Sequence, residues 1–282
     1  MNAIVARYDA DAADYARYWG PVLERASRRL VDYLDVFVSR RDGNVRVLEV
    51  GAGTGTLALA ALERWPRAQL IVSDAARGML DQARRRIAAS GLASDRARFL
   101  LGSADALPLE DASVDLILSS FVLQLVPDRP AALAEGWRLL APGGMLGYVT
   151  WLDRDSREPF VPADEFDEAV YDLEFDEPEP ATEPHAGDVP SARAATDELR
   201  RTGFVRASAR EDELVHEWTM ESYLEYKLAY DERYLLSLLD DRHRQALEDN
   251  ARARLSRLAD AQFRWHAPIV FARARRPPEE VV

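Results

Sequence analysis

The stretch VLEVGAGTG, residues 47–55, decides how the chain is interpreted, because three glycines follow directly on an apolar run. The run VRVLEV is short and rich in β-branched residues, which is typical of a strand buried on both faces. The following TLALAALERW is apolar at helical spacing. A strand, a glycine-rich turn and a helix in this order place backbone N–H groups and a positive helix end at the edge of a sheet. The pattern predicts a nucleotide or nucleoside site, with an ordinary tight turn as the alternative.

The same alternation continues on the C-terminal side of the glycines. Further short apolar strands are predicted at LIVSD, ARFLLGSAD, VDLILSS and MLGYVTW, with amphipathic helices between them. This rhythm favours an α/β fold with a Rossmann-like, doubly wound parallel sheet over residues 44–151. Two later strands, FVRASAREDELVHEW and FRWHAPIVFARARR, are separated by helical sequence and predict an antiparallel edge.

Composition excludes several classes of site. The chain has 282 residues, of which 48% are hydrophobic, and it contains no cysteine and only four histidines. Disulfides, thiolate nucleophiles and cysteine metal sites are therefore excluded, and we predict no metal. No basic stripe with interleaved aromatic residues is present, so nucleic acid is not expected as a partner. No apolar run of membrane-spanning length and no signal peptide is evident, so we expect a cytoplasmic protein without a membrane partner. The oligomeric state is not predicted.

The net charge of −13 is concentrated in one segment. Between Trp151 and Pro190 the chain has 14 acidic residues and only two arginines. Such a run is typical of a mobile, solvated loop. Alternatively, carboxylates over the entrance of a site would attract a cationic amine and repel an acid.

The glycine spacing indicates which ligand to expect. A nicotinamide fingerprint needs glycines spaced G-x-G-x-x-G, but its third position is Thr56 and the glycine falls one residue early, at Gly55. Glu49 stands two residues before Gly51 and would repel a phosphate. A nicotinamide oxidoreductase is also opposed by the lack of a Tyr-x-x-x-Lys pair near the core. A ligand that carries a sulfonium cation and an amino group is more compatible with the negative charge of Glu49 than a phosphate is.

Two further acidic positions follow the next strands. Asp74 ends the second strand, where a carboxylate can accept bonds from both ribose hydroxyls, unless it only caps the following helix. Asp105, in Ser103-Ala104-Asp105, follows the third strand and can accept a bond from the exocyclic amine of adenine, or can be an ordinary turn residue. Met79, one turn into the helix after Asp74, is a candidate to cover the base.

Four motifs in order, VLEVGAGTG, SDAARGML, GSADALPLEDASVDLILSSFVLQLVPD and LLAPGGMLGYVTW, resemble class I S-adenosylmethionine-dependent methyltransferases. The resemblance is to the small-molecule group, methyltransferase type 11, that includes ubiquinone and menaquinone C-methyltransferases, and it covers about residues 8–151. It implies a seven-stranded, mostly parallel sheet with an antiparallel last strand, helices on both faces, and methyl transfer to O, C or N of a small acceptor. The implied cofactor is S-adenosylmethionine, with S-adenosylhomocysteine as product.

The residues and the resemblance together give a set of candidate cofactor-binding positions. Glu49 and the glycines are expected at the methionine part, Asp74 at the ribose, Ala104 and Asp105 at the adenine. The complete set is Tyr15, Glu49, Gly51, Ala52, Gly53, Gly55, Asp74, Ala75, Met79, Ala104, Asp105, Ala106, Ser119, Ser120 and Gln124. Many relatives have histidine where this chain has Gln124, so no catalytic base is assigned there.

Aromatic residues outside the core are the candidates for acceptor binding. They are Tyr8, Tyr18, Trp19, Trp151 and Tyr223. The last belongs to the tyrosine stripe 223, 226, 230 and 234, which either packs a helix or lines a flat apolar pocket. His216 and His266 fall in predicted strands and are expected to be structural. His185 lies in the acidic segment and is an alternative candidate for a base that enters the site when this segment closes. The catalytic residue stays unknown.

The predicted organisation has five parts. They are an N-terminal helical lid (1–43), the cofactor-binding core (44–151), an acidic insertion or lid (152–190), the C-terminal part of the sheet with a helical substrate-side insertion (191–276) and a tail (277–282). The alternative function is a protein that binds S-adenosylmethionine but performs a different reaction or none.

Overall fold

A single seven-stranded sheet organises the fold. The structure is a computed structural model that describes residues 3–92, 94–153, 159–173 and 186–279. The strands are β1 Val45–Val50, β2 Ala68–Asp74, β3 Ala97–Leu101, β4 Val114–Ser120, β5 Leu140–Trp151, β6 Val205–Glu217 and β7 Arg264–Arg275. Their order in the sheet is β3-β2-β1-β4-β5-β7-β6. The predicted α/β class and the seven strands are confirmed.

The pairing of the strands has the predicted polarity. β1 pairs in parallel with β2 and β4, β2 with β3, and β4 with β5. β5 and β7 are antiparallel, with Met145 opposite Arg275 and Trp151 opposite Ile269. Because all the parallel strands end at one edge, the loops after β1, β2, β3 and β4 meet there.

Eleven α-helices lie in the described part of the chain. They are α1 Ala3–Ala10, α2 Ala12–Asp14, α3 Gly20–Ser39, α4 Thr56–Arg64, α5 Arg77–Ala89, α6 Arg129–Leu139, α7 Val161–Tyr171, α8 Ala192–Arg201, α9 Met220–Tyr226, α10 Arg233–Leu238 and α11 Asp241–Leu255. A π-helical turn, Tyr15–Trp19, joins α2 to α3. Among the described residues, none of these helices combines the length and apolarity needed to cross a membrane.

The chain divides into two compact units. The first consists of residues 1–154, 183–212 and 268–282, and the second of residues 155–182 and 213–267. In the first unit α3 lies close against the sheet, since a Cβ on Gly147 would stand 2.6 Å from the Leu34 side chain. The predicted acidic insertion and tail include residues 154–158, 174–185 and 280–282, and these, with His185, lie outside the described residues.

Two elements differ from the sequence prediction. The helical sequence predicted between the last two strands is not continuous, because over residues 218–240 it forms α9, a π-helical turn over Lys227–Asp231, and α10. The buried Lys227 Nζ donates to Asp231 Oδ2 at 2.6 Å within this turn. The last parallel strand begins at Leu140 rather than Met145, with an irregular register between Val114 and Leu116 of β4.

Candidate active site

The glycine-rich loop after β1 has two glycines whose roles differ. Gly51 has φ +68°, and a Cβ there would stand 2.3 Å from the Val122 side chain, so only glycine permits this approach. Gly53 has φ +52°, but its nearest neighbour would be the Tyr15 ring at 3.9 Å. The backbone of Gly53 therefore faces open space, whereas Gly51 lets the loop after β4 come close.

A cleft of about 290 Å³ lies beside this loop. Nine of the predicted cofactor-binding residues line it: Tyr15, Gly51, Gly53, Asp74, Ala75, Met79, Ala104, Asp105 and Ser120. Ala76, Gly102 and Ser103 line it too, and the rest of the wall is largely apolar and comes from α1 and the loop after β4, through Ile4, Val5, Tyr8, Phe121, Val122, Leu125, Val126 and Pro127. Mostly apolar walls with a few convergent polar groups are typical of small-molecule sites.

Asp74 joins the ends of two strands across this cleft. Its Oδ2 accepts a hydrogen bond from the Gly53 N–H at 2.8 Å, and its Oδ1 accepts one from the Ala76 N–H at 2.8 Å. Burial raises the pKa of this carboxyl, and the backbone N–H donors oppose that effect. Asp74 thus holds the turn before α5 but is not its N-cap, since that position is Ala76 and no side chain caps the helix, and the remaining lone pairs of Asp74 are available to a ligand in the cleft.

Glu49 is the most isolated carboxyl of the site. It is 1% exposed, and its Oε2 has no hydrogen-bond partner among the described residues. Burial raises its pKa well above the ordinary value, and the charge of Asp74 adds to the effect. Glu49 lines a small cavity of about 30 Å³ together with Gly51, Gly53 and Ser120, which also line the cleft. A donor placed at this end of the cleft can satisfy the unpartnered oxygen.

The third strand contributes a short polar loop. Asp105 accepts a hydrogen bond from the Ser103 hydroxyl, and both residues line the cleft. Met79 is 1% exposed and forms part of the cleft wall from α5. The next residue in the loop, Ala106, is exposed and lies outside the cleft lining.

The two serines at the end of β4 point to different faces of the sheet. Ser120 lines the cleft, and its hydroxyl shares a 3.1 Å hydrogen bond with Ser27 of α3. The Ser119 hydroxyl donates to the Val50 carbonyl at 3.1 Å on the opposite, buried side. Successive side chains of a strand alternate in this way, so of the two side chains only that of Ser120 lines the cleft.

Phe121, directly after β4, has an unusual backbone. Its φ is +56°, a conformation that costs free energy for a residue with a Cβ. Its N–H donates to the Val149 carbonyl at 2.8 Å, and its ring centroid lies 4.3 Å from that of Trp151. Strained residues of this kind are concentrated at functional sites.

A second cavity, here called the aromatic chamber, adjoins the cleft in the first unit. It has about 170 Å³ and is lined by Tyr8, Tyr15, Trp19, Leu23, Phe121, Gln124, Leu125, Trp151 and Asp188. Tyr8, Tyr15, Phe121 and Leu125 line the cleft as well. A molecule in the chamber therefore has access to the cleft.

Gln124 lines the chamber rather than the cleft, and its side chain is fully engaged. Its Nε2 donates to the Phe121 carbonyl at 2.8 Å, and its Oε1 accepts from the Thr150 hydroxyl at 2.7 Å. These bonds hold the loop after β4 against β5. Since an amide is also not a base at neutral pH, Gln124 has a structural role here.

The N-terminal helices cover the cleft from one side. Tyr8 and Tyr15 make an edge-to-face contact at 5.8 Å between ring centroids. The Asp9 side chain accepts a hydrogen bond from the Gly78 N–H at 2.6 Å, in the first turn of α5. This bond and the small cluster of Ala12, Ala76 and Met79 attach α1 and α2 to α5.

Several predicted residues lie away from the cleft. A Cβ on Gly55 would stand 2.9 Å from the backbone of Ala83, so this glycine permits contact between α4 and α5. Ala52, like Glu49, lines the small cavity. Tyr18 lines neither cavity and has the Arg17 guanidinium 5.0 Å from its ring. Tyr223 is 4% exposed within an aromatic cluster of the second unit.

The histidines in the later strands have structural contacts, in agreement with their expected role. His266 Nδ1 lies 2.9 Å from Glu213 Oε2, and His216 packs against Trp218 at 4.4 Å between centroids. Within residues 3–92, 94–153, 159–173 and 186–279, no three metal-binding side chains are grouped so as to hold an ion.

Sequence reasoning missed Phe121, Val122 and Asp188. Phe121 follows the serines of β4 and was open to prediction from its place at the sheet edge. Asp188 falls in the acidic segment, where fourteen carboxylates share the same local pattern. Nothing in the sequence distinguishes it from its neighbours.

Part of the chain is similar in sequence to known proteins. Residues 47–144 match the family described as "Methyltransferase domain". The malonyl-acyl-carrier-protein O-methyltransferase of Xylella fastidiosa is 42% identical over 119 residues, which are 42% of this chain and 38% of that protein. The ubiquinone/menaquinone biosynthesis C-methyltransferase UbiE of Dinoroseobacter shibae is 43% identical over 101 residues, which are 36% of this chain and 40% of that protein. The chain thus spans about two fifths of the length of these relatives.

A solved structure extends the likeness to most of the chain. The crystal structure of the cyclase SpnF is 21% identical, with a TM-score of 0.53, and covers 89% of this chain and 81% of that one. At this identity the likeness shows the fold alone. Over residues 47–144 the sequence is similar to methyltransferase domains, among them that of a ubiquinone/menaquinone biosynthesis C-methyltransferase, and the seven-stranded sheet is similar to that of the solved structure.

Proposed function

We propose that the chain transfers a methyl group from S-adenosylmethionine to a small-molecule acceptor in the cytoplasm. One observation carries the proposal: Glu49, Asp74 and Asp105, from three neighbouring strands and the loops after them, surround bare glycine backbone. Among the described residues, no lysine or arginine lines the cleft or the small cavity. This charge pattern suits a ligand that carries a sulfonium and an ammonium group, and it opposes a pyrophosphate.

The residues present fit the cofactor. The unpartnered Oε2 of Glu49 offers an acceptor to the ammonium group, beside the exposed backbone of Gly53. Asp74 has remaining lone pairs for ribose hydroxyls, and Asp105 has them for the exocyclic amine of adenine. The bound cofactor supplies a methyl group already activated by positive sulfur.

The chain itself aligns the two reactants and excludes water from the site. The Tyr8–Tyr15 pair and Phe121 stand where the cleft and the aromatic chamber meet, so they hold the acceptor and exclude water. Alignment of two reactants is worth up to roughly 7–11 kcal/mol in favourable cases. Among the described residues, the titratable groups that line the chamber are Tyr8, Tyr15 and Asp188, and these three are the candidates for a general base in this part of the chain.

Ligand-induced thermal shift tests the cofactor class. S-adenosylhomocysteine should raise the melting temperature, because a ligand that binds only the folded state stabilises it, whereas NAD should leave it unchanged. The opposite pattern would refute the proposal. Transfer of labelled methyl from the cofactor to any acceptor in a metabolite screen, detected as one added methylene mass, separates an enzyme from a non-catalytic binding protein.

The variant Asp74→Ala tests the site itself. We expect calorimetry to show S-adenosylhomocysteine affinity reduced by roughly 10- to 100-fold, as for the loss of one or two hydrogen bonds to a charged group. Asp240→Ala is the matched control, since Asp240 accepts the His243 N–H at 2.8 Å at the start of α11. The control should lose similar stability from its helix but retain affinity. Undiminished affinity in Asp74→Ala would remove this residue from the site.

A further inference from the structure

A group of arginines surrounds two aromatic rings of α3, Tyr33 and Phe37, which lie one helical turn apart. Each ring has two guanidiniums close to it. Measured from the guanidinium carbon to the ring centroid, they are Arg273 at 4.3 Å and Arg210 at 4.8 Å for Tyr33, and Arg41 at 4.5 Å and Arg275 at 5.2 Å for Phe37. These positive charges therefore lie side by side on one surface of the first unit.

Two more arginines belong to this group. Burial lowers the pKa of Arg275, and the charges of Arg206, Arg41, Arg273 and Arg40 lower it further. Because like charges act on one another in this way only at short range, Arg40 and Arg206 are part of the same surface. We call this surface the arginine face, and its members are Arg40, Arg41, Arg206, Arg210, Arg273 and Arg275.

The arginine face lies toward the opposite edge of the sheet from the cleft. Arg275 of β7 is opposite Met145 of β5, whereas Trp151, which lines the aromatic chamber, is opposite Ile269. The length of strand between these two pairs is about 20 Å at the usual rise per residue. A molecule bound to the arginine face therefore leaves the cleft open.

The positive charge of the arginine face is not balanced by carboxylates. Four members have no carboxylate partner among the described residues: Arg40, Arg206, Arg273 and Arg275. Arg273 Nη1 donates instead to the Tyr33 carbonyl at 2.9 Å. In a chain whose net charge is −13, this is a local excess of the opposite sign.

Two carboxylates lie at the border of the arginine face, and both are shared. Asp115 is 3.3 Å from Arg41, and it also accepts bonds from the guanidinium of Arg46. Asp212 is 3.8 Å from Arg210. It also pairs with Arg29 of α3. These two carboxylates leave the arginine face with a net positive charge.

The guanidiniums are held in position by the fold. The Tyr33 ring, which supports two of them, packs edge-to-face on Phe271 at 6.1 Å between centroids. A guanidinium that lies over a ring keeps N–H groups in its own plane for a bidentate pair with a carboxylate. Arg206 has φ +52°, a conformation that costs free energy for a residue with a Cβ. Such strain is concentrated at functional sites, which is a second reason to assign a binding role.

The surroundings favour a protein over a nucleic acid as the partner. Val36 of α3 is 52% exposed, and Val205, next to Arg206, is 40% exposed. Arginines accompanied by apolar side chains are typical of protein interfaces. The rings of Tyr33 and Phe37 are already covered by guanidiniums, so they give no platform on which bases can stack.

We propose that the arginine face is a docking site for an acidic surface of a partner protein, whose carboxylates pair with Arg206, Arg273 and Arg275. The inference does not depend on methyl transfer, because it concerns the opposite edge of the sheet. It predicts that the partner and a ligand in the cleft bind at the same time.

A fluorescein-labelled oligoglutamate peptide tests the proposal on the full chain, since it offers carboxylates and no other charged group. Fluorescence anisotropy at low salt should show binding although the chain and the peptide are both acidic overall, and added salt should weaken it. Oligoglutamine of the same length should not bind measurably. Oligothymidylate of equal charge should bind more weakly than oligoglutamate, because its bases find no exposed ring.

The double variant Arg273→Gln with Arg275→Gln should bind oligoglutamate at least about tenfold more weakly, because two charge-assisted pairs are lost. The matched control removes two charges from α8, in Arg193→Gln with Arg200→Gln, where the side chains are 92% and 62% exposed. Its affinity should stay within about twofold of wild type, since distant exposed charges are screened.

Arg206→Gly tests the site even if the double variant fails to fold. Glycine adopts φ +52° without strain, so this change relieves the backbone while it removes one guanidinium. Urea unfolding should show no loss of stability from the backbone, whereas oligoglutamate affinity should fall about threefold or more.

No binding of oligoglutamate, undiminished affinity in Arg206→Gly or in a folded double variant, or an equal loss in the α8 control would each overturn the proposal. Tighter binding of oligothymidylate or of phosphatidylglycerol vesicles would also overturn it, in favour of a different partner. S-adenosylhomocysteine affinity should not change when the peptide is present, and competition between the two would contradict the assigned surface. If the nucleoside does not bind even without the peptide, only the methyl-transfer proposal fails.

Discussion

Glu49 and Asp115 are two acidic residues of neighbouring strands in the same sheet, and they have opposite surroundings. Glu49 lies near the carboxyl end of β1 and is 1% exposed; Asp115 lies near the amino end of β4 and is 8% exposed. Asp115 accepts bonds from the N–H of Arg46 at 2.9 Å and from its guanidinium at 3.1 and 3.0 Å. Glu49 has an oxygen with no partner among the described residues.

The pKa values of the two carboxyls accordingly move in opposite directions. Burial raises the pKa of both, but at Asp115 the bonds from Arg46 outweigh burial and the net shift is downward. Near the amino end of β4 the Asp115 carboxylate is fully paired, although the hydroxyl of Ser113, just before this strand, has no partner among the described residues. At the carboxyl edge the unpartnered oxygen of Glu49 and the strained residue Phe121 border the cavities, where a ligand can use them.

The largest effect on ligand affinity is expected when a side chain is added to the glycine loop at the carboxyl edge of the sheet. Gly53→Val should weaken S-adenosylhomocysteine binding by roughly 100-fold or more, because overpacking costs of about 1–3 kcal/mol add to lost contacts with the backbone. Gly43→Val is the control: Gly43 also has positive φ, +100°, and its Cβ would meet nothing within 4 Å. Both variants should lose stability through backbone strain, and only the first should lose affinity. Equal S-adenosylhomocysteine affinity of the two variants in calorimetry would contradict the assignment of ligand binding to the carboxyl edge.

At the amino edge the effect should fall on stability alone. Asp115→Ala should lower the free energy of unfolding by about 1–3 kcal/mol through loss of bonds to a charged group. The lower part of that range is expected, since the Arg46 side chain is 49% exposed and water can replace its partner. Urea unfolding measures the change, and S-adenosylhomocysteine affinity should stay within about twofold of wild type. A large loss of affinity would show that the two edges are coupled.

The smallest effect is expected at Glu49, and it has a distinctive pH dependence. The folded-state pKa is raised above the unfolded value, so the wild-type chain binds the proton more tightly when folded and loses stability as the pH rises from about 4.5. Glu49→Gln cannot lose a proton, so without ligand it should equal wild type in stability near pH 4 and exceed it by a growing margin as the pH rises toward 8.

The same variant should lose affinity while it gains stability. We expect Glu49→Gln to bind S-adenosylhomocysteine about tenfold more weakly, since a neutral amide replaces the partner of an ammonium group. Thermal unfolding over a pH series measures the change in stability, and calorimetry at one pH measures the change in affinity. Stability that stays constant between pH 5 and 8 in both proteins would contradict the assignment of Glu49 as a destabilising buried acid.

At the carboxyl edge of the sheet, the sequence was sufficient to predict those features whose pattern has only one structural explanation. The glycines of residues 51–55 and the acidic ends of the strands follow from the alternation of β and α periods, and nine of the predicted cofactor-binding positions line one cleft. Ser119 and Ser120 show that position in the sequence alone does not give the direction of a side chain. Both were placed at the ligand, although a strand turns successive side chains to opposite faces and only Ser120 faces the cleft.

Other features depend on contacts distant in sequence. Asp188 reaches the chamber because backbone bonds join its neighbours to Gln124 and Trp151, and no local pattern encodes such pairing. The interrupted helix between α9 and α10 has a regular apolar spacing in sequence, but the buried ion pairs of Lys227 with Asp231 and Glu232 accompany a wider turn. Periodicity predicts the type of an element better than its continuity.

The π-helical turn Tyr15–Trp19 has a consequence for insertions and deletions. A π-helical turn holds about one residue more than an α-helical turn, so its length sets the angular offset between α3 and everything before it. Deletion of one residue there would rotate the preceding segment by about 100° about the helix axis and carry Tyr8 out of register with the cavities. The number of residues in this turn therefore helps to determine whether the Tyr8 ring, which precedes it, faces the cavities.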